Sequence, residues 1–458
     1  MYSPRLTILL TLLLAPAVAG AADGGVYLYL QPSPADTARL TFAIASVSAV
    51  ASNGSEFPLG LSLQTVGPAE SSRQRLLASG RLPEGRYTGF LFKFGRAALK
   101  GERGDVALVV PDLPVRLDVL FTVGRQEAPL FWLVLNYPDS LAQGFDFSPV
   151  LQAVTPPRPN PAHAGFVTNS GSNTITVFDK SLGQATAVIH TCAGPFGMAL
   201  DRRRLRVYVA CPKDDEIQSI DVAAGEILQR TRVSPGDQPR EVALTPDGAT
   251  LVSVNSGSNS ISFFDAVSLA RQERLNVGSG PGSIVIEPSG KRAFVFNALS
   301  SSVSVIDLAS RSLAATLSMD APPLRGEFNR SGNRLYVIHE RSPYLSVLDP
   351  QQLTISSRVR LGAAVGAIAV DQVRGLICLA SSNGVAVEFY DPNALLPLYF
   401  MKTREGISHL LIDAEDSRLY MVNPETRTLV VGRLADRKVV SEIDVGDGAR
   451  FVAVMGAR

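Results

Sequence analysis

Cysteine is nearly missing from this chain of 458 residues: only Cys192, Cys211 and Cys378 occur. No Cys-x-x-Cys-His is present, so covalent attachment of a c-type haem is excluded at motif level. The four histidines, His163, His190, His339 and His409, are scattered, and none forms a pair with metal-ligand spacing. His-Glu-x-x-His, Gly-x-Ser-x-Gly and Walker-type loops are all absent, so neither a metal nor a cofactor is expected, and no catalytic centre is announced. An excess of one charge is lacking too. Lys plus Arg number 43 against 42 Asp plus Glu, which leaves no basic footprint for a nucleic-acid backbone. After Ala19 no apolar run is long enough to span a bilayer.

Glycine (38) and proline (30) are plentiful and dispersed, and hydrophobic residues make up 46%. That is the composition of a folded, turn-rich β protein. The first residues carry a single Arg5, an apolar run from Leu6 to Ala19, and the small residues Gly20, Ala21 and Ala22. A basic start, a short apolar stretch and an Ala-x-Ala site describe a signal peptide over residues 1–21. The mature protein is therefore expected to be exported, to the periplasm, the medium or the cell surface, where disulfides persist.

Residues 25–153 alternate with a period of two. Leu40, Phe42 and Ile44 form one such set, Phe90, Phe92 and Phe94 another, and Val115, Leu117, Val119 and Phe121 a third. This is the signature of half-buried strands, and a β-sandwich is the expected solution. Asn53-Gly54 marks a hairpin. The stretch resembles an uncharacterised bacterial domain with a prealbumin-like sandwich, through Leu40–Val50, the Leu82-Pro-Glu-Gly-Arg-Tyr87 turn and a closing strand near Ser148-Pro-Val150. Residues 154–165 hold four prolines in 12 positions and read as a semi-rigid linker.

Beyond the linker the chain repeats. Strand-like runs end at Asp179, Asp221, Asp265, Asp307, Asp349 and Asp391, spaced by 42, 44, 42, 42 and 42 residues. The seventh place falls on Arg433. Asn169, Cys211, Asn255, Asn297, His339, Ser381 and Asn423 keep the same phase, as do Pro195, Pro239, Pro281, Pro323, Val365, Ile407 and Ala449. Each unit holds four short strands, the content of one propeller blade. The expected fold is all-β: a seven-bladed β-propeller over 166–458, preceded by a small β-sandwich. The chain enters at a second strand, Phe166-Val-Thr-Asn169, and leaves at a first strand, Arg450–Val454. The two ends are expected to complete one blade and so close the ring.

Phe166-Val-Thr-Asn-Ser-Gly-Ser-Asn-Thr-Ile-Thr-Val-Phe-Asp179, its repeat at Val254–Asp265, and the turn Gly280-Pro-Gly-Ser-Ile-Val-Ile-Glu-Pro-Ser-Gly290 resemble the YVTN family of propeller repeats. The resemblance weakens at Ser381 and Arg433. Residues common to all blades are read as structural: the aspartates as turn formers, the Asn-Ser-Gly-Ser-Asn pieces likewise.

Function is sought in what differs between blades. The loop after each second strand and the loop leading into the next blade share one rim, which brings Cys192 and Cys211 within reach of a disulfide; Cys378 reads as a buried thiol. At one in-phase position the blades read Gly197, Glu241, Ser283, Arg325, Ala367, His409 and Phe451. Glu241, Arg325, His339, His409, Arg240 and Arg450 are the candidate ligand-binding residues, with Arg341, Tyr344 and Arg404 nearby. The reading is an exported binding or scaffolding protein that takes a protein or a small polar ligand at the rim. The alternative is a propeller enzyme or cofactor-handling protein of the lactonase or quinoprotein and haem-associated kinds.

Overall fold

A computed structural model describes residues 24–456, apart from 35–38, 102–103, 142–144, 382 and 405. The expected signal peptide, 1–21, lies outside the described residues. Among these, ten strands form the N-terminal sheet: β1 (Gly24–Leu30), β2 (Leu40–Ala51), β3 (Glu56–Leu61), β4 (Thr65–Val66), β5 (Arg75–Leu82), β6 (Gly85–Gly101), β7 (Gly104–Leu108), β8 (Val115–Val123), β9 (Leu130–Leu135) and β10 (Leu151–Val154). The order is β10-β9-β1-β5-β3-β2-β6-β7, with β4 on β2 and β8 on β6. The expected sandwich is thus one sheet bent over itself. Three register shifts between β2 and β6 allow the bend, since each bulge adds local twist. The halves meet through aromatic rings: Phe131 of β9 packs edge-on against Phe90 of β6 and Phe121 of β8. Phe90 and Phe92 are fully buried, as their period-two spacing predicts.

The rest is seven four-stranded sheets. Blade 1 joins Ala164–Asn169, Thr174–Asp179 and Gln184–His190 to the C-terminal strand Ala449–Val454. Val452 pairs with Val167 and Phe451 with Thr168, so the ring is closed by its two ends. Blades 2 to 7 are each four consecutive strands. Their innermost strands are Met198–Asp201, Pro239–Leu244, Pro281–Ile286, Pro323–Phe328, Val365–Val370 and His409–Asp413. Each touches the next around the circle, and the C-terminal strand touches both the first and the last. Burial falls outward. In blade 3 Thr250–Asn255 is almost wholly buried whereas Arg271–Asn276 is almost wholly exposed, because neighbouring blades cover only the inner strands on both faces.

The repeated residues hold each blade together. Asp221 accepts from the amides of Ala223 and Ala224, and Asp349 from those of Gln351 and Gln352. Where the seventh copy has Arg433, the turn instead carries a fork of Arg433 on Asp436, at 2.9 and 2.6 Å. Asn169 donates to Thr174 and Thr176, Asn255 to Ser260 and Ser262, and Asn297 to Ser302 and Ser304. In blade 2 the same place is taken by Cys211, bonded to Cys192 with a Cα separation of 5.9 Å. Cys378 is a buried free thiol.

The N-terminal sheet docks sideways on the outer strands of blades 1 and 7, beside the seam where the ring closes. Trp132 Nε1 donates to the Ala185 carbonyl at 2.9 Å, and Gln74 bonds both backbone groups of Ala185. Tyr29 Oη reaches the Asp444 carbonyl. The Asp444 carboxylate accepts from Arg73, Arg75 and the Leu76 amide. Tyr27, Tyr29, Leu76 and Leu130 share an apolar cluster with Val188, Ile443 and Val454. Of residues 154–165, expected to act as a spacer, Val154 instead ends β10, Pro161–His163 form a 3-10 turn and the first propeller strand starts at Ala164, so only 155–160 connect two bodies already in contact.

Candidate functional site

Every innermost strand starts at the same rim, so the second and third residues of each start gather at the mouth of the central channel. Counted from the in-phase Pro195, Pro239, Pro281, Pro323, Val365, Ile407 and Ala449, the second residues are Phe196, Arg240, Gly282, Leu324, Gly366, Ser408 and Arg450, and all seven line a cavity of about 450 Å3. Ser283, Arg325, His409 and Phe451, third residues, form its lower wall. The ring is lopsided. Arg450, Phe196 and Arg240 come from three successive blades, while Gly282 and Gly366 leave the opposite side open.

The floor is an ion pair that bridges two blades over the one between them. Arg325 of blade 5 reaches past Ser283 of blade 4 to Glu241 of blade 3, with Nη1 to Oε1 at 3.1 Å and Nη2 to Oε2 at 2.7 Å. A fork on a carboxylate fixes both groups in one geometry. Burial pushes the Glu241 carboxyl up and Arg325 pulls it back. Gly197 is required beside it, since a Cβ there would come within 2.7 Å of the Glu241 Cα. Ser283 stands next to Glu241, with its buried hydroxyl within reach of that carboxylate.

Aromatic rings complete the site. The Arg325 guanidinium sits 5.3 Å from the Phe451 ring, and His409 stacks on that ring at 3.9 Å. Burial first, and Arg325 second, hold the His409 imidazole well below its ordinary pKa, so it is neutral. Its Nδ1 accepts from the Val452 amide at 3.5 Å, leaving the proton on Nε2. Phe196 lies under two guanidiniums, Arg240 at 4.6 Å and Arg450 at 5.8 Å. Thr168, fully buried, ties the two phenylalanines together: its hydroxyl donates to the Phe196 carbonyl and accepts from the Phe451 amide.

Of the six candidates, five converge here: Arg240, Glu241, Arg325, His409 and Arg450. His339 does not. It occupies the repeated asparagine place and does the asparagine's work, with Nδ1 donating to the Ala321 carbonyl at 3.0 Å and Nε2 accepting from Ser346 at 2.8 Å. Arg404 is drawn to Glu442, and Tyr344 lies under Arg358, so neither lines the cavity. Phe196 escaped the sequence reading, though it sits one residue before the in-phase position. Glu327 escaped as well. It follows Arg325 by two residues and therefore points to the same side of the strand, deeper in the channel. Burial pushes its carboxyl up to about 7, against the pull of Arg325 and with the push of Glu241. Among the described residues no group of three or more His, Cys, Asp or Glu is placed to hold a metal ion, and no helix is long and apolar enough to cross a membrane.

No protein-family model and no curated protein matches the chain. Solved structures do. The chain is similar to a functionally unknown protein from Desulfotomaculum acetoxidans, with a TM-score of 0.58 at 14% identity, covering 65% of this chain and 100% of that one. It is similar to Kuenenia stuttgartiensis hydrazine synthase, with a TM-score of 0.54 at 17% identity over 61% and 96%. A dihydro-heme d1 dehydrogenase, NirN, in complex with DHE gives 0.52 at 14% identity over 66% and 78%. Likeness at this level of identity shows the propeller fold that they share with this chain, and the fold alone.

Proposed function

We propose that this is an exported binding protein that takes an anionic ligand with an apolar body at the mouth of the propeller channel. The observation that carries the reading is the pair Arg240 and Arg450. Neither is joined to a carboxylate at ion-pair distance among the described residues, and both lie over Phe196 in an open cavity. Guanidiniums on an aromatic platform offer planar donor forks to an oxyanion while the ring takes apolar surface. The Ser283 hydroxyl, in the cavity wall beside Glu241, adds a neutral donor. Resemblance to the YVTN repeat family and the disulfide of Cys192 with Cys211 support export to an oxidising compartment.

Titration calorimetry with benzoate, sulfate and citrate tests this reading. The wild type is expected to bind at least one with millimolar or better affinity, and Arg240→Ala with Arg450→Ala to lose it. Absence of binding by all three would remove it. The enzymatic and cofactor-handling reading borrows from the names of two neighbours at 17% and 14% identity, which transfer no activity.

A further inference from the structure

The mouth holds an unequal account of charge just below its floor. Arg325 spends both terminal nitrogens on Glu241. Glu327, two residues further along the same strand, is left with no hydrogen bond or ion pair of its own among the described residues. It stands in an almost uncharged collar: the matching residues of the other blades are Ala199, Ala243, Val285, Ala369, Leu411 and Ala453. The groups that face it are few. Arg325 precedes it on the strand, Glu241 of blade 3 is held by that same arginine, and Tyr336 stands opposite it on the adjoining strand. His409 on the far wall is neutral. One guanidinium therefore serves two carboxyls, and the second, half-buried, lies one step along the strand from Arg325, which lines the cavity.

Resting on the reading of the mouth as an anion site, we infer that binding of an oxyanion there is coupled to uptake of a proton by Glu327. An anion brought to Arg240 and Arg450 disfavours a second negative charge beneath it, and protonating Glu327 removes that charge. By linkage the effect is reciprocal: low pH tightens the anion, and the anion raises the affinity of Glu327 for its proton. The shift of the Glu327 carboxyl to about 7 puts the change near neutrality, between a mostly neutral Glu327 at pH 6 and a mostly charged one at pH 8.

Calorimetry with sulfate and with benzoate tests the coupling, because neither probe changes its own charge between pH 6 and pH 8. Wild-type affinity is expected to be about tenfold tighter at pH 6, the scale of one unit charge acting through a partly buried site. In two buffers of different ionisation enthalpy at pH 7, binding should take up a fraction of a proton. Glu327→Gln should bind at pH 8 as tightly as the wild type does at pH 6, with no pH dependence, and His409→Gln should keep the dependence. Equal wild-type affinity at the two pH values, a dependence that survives in Glu327→Gln, or one abolished only by His409→Gln would each overturn the inference while leaving the mouth an anion site. Failure of the wild type to bind sulfate, benzoate or citrate at pH 6 would remove the site itself.

Discussion

Replacing Arg325 with methionine should be the most damaging single change at the mouth, and its cost can be worked from the ion pair that it breaks. Glu241 is 3% exposed, with both oxygens engaged by Arg325. Without the guanidinium, the carboxylate is stranded in a place that already favours its neutral form. Its escape is to take a proton, which at pH 7 costs about 3 kcal/mol for a carboxyl of ordinary pKa. Loss of one partner from a buried pair generally costs about 3–5 kcal/mol. Arg325→Met is therefore expected to lower the unfolding free energy by ~3 kcal/mol at pH 7 and by ~1 kcal/mol at pH 5, where the proton is nearly free. Adding Glu241→Gln removes the stranded charge and should restore most of the loss. Denaturant unfolding followed by circular dichroism at the two pH values reads all three variants. A single variant within ~0.5 kcal/mol of wild type at pH 7, or a double variant no better than the single, would show that the crossing pair does not hold the floor.

Other outcomes follow from the same geometry. Glu327 has a folded-state pKa raised to about 7, so the native protein holds that proton more tightly than the unfolded chain does. Stability is then greatest while the group is neutral and falls as pH rises from 4.5 through 7; Glu327→Gln should raise the melting temperature at pH 8, by an amount worth at most ~3 kcal/mol, and leave it unchanged at pH 4. Cys192→Ser with Cys211→Ser opens a loop whose ends are 19 residues apart and should cost ~3 kcal/mol; since that loop runs into Phe196, anion binding measured by calorimetry should weaken with it. His339→Asn should unfold within ~1 kcal/mol of wild type because asparagine fills this place in other blades, whereas His339→Ala strands Ser346 and should lose ~2 kcal/mol. Asp444→Ala leaves Arg73, Arg75 and the Leu76 amide without their shared acceptor, and limited proteolysis should then cut at residues 155–160 faster than in the wild type.

What could be read in the sequence was whatever the ring repeats. The 42-residue phase of Asp221, Asp265 and Asp307 recurs because each blade needs the same turn, and the meeting of Phe451 with Thr168 follows from where the count starts and stops. The same phase carried Glu241, Arg325 and His409 to one end of the channel. The phase gives an address, however, and says nothing of which neighbour a side chain will find. His339 and Glu241 look alike as polar departures from an apolar pattern. One is consumed inside its blade by Ser346 and Ala321, while the other is met from two blades on by an arginine 84 residues away. Glu327 was hidden for a related reason: Arg325-x-Glu327 reads as a paired surface strand until the arginine is seen to be taken by Glu241. The lateral docking was hidden more deeply. Trp132, Tyr29 and Gln74 bind the Ala185 backbone and the Asp444 carbonyl, and backbone acceptors on an outer strand carry no residue code at all. The mouth differs in this respect, because its lining is written in side chains at a fixed phase. Reading the position one residue before the chosen one, Phe196, Arg240, Gly282, Leu324, Gly366, Ser408 and Arg450, recovers the whole lining ring. In this propeller the cavity takes its character from the two positions at the head of each inner strand, and what sets it apart from a uniform ring is a phenylalanine flanked by arginines across three consecutive blades.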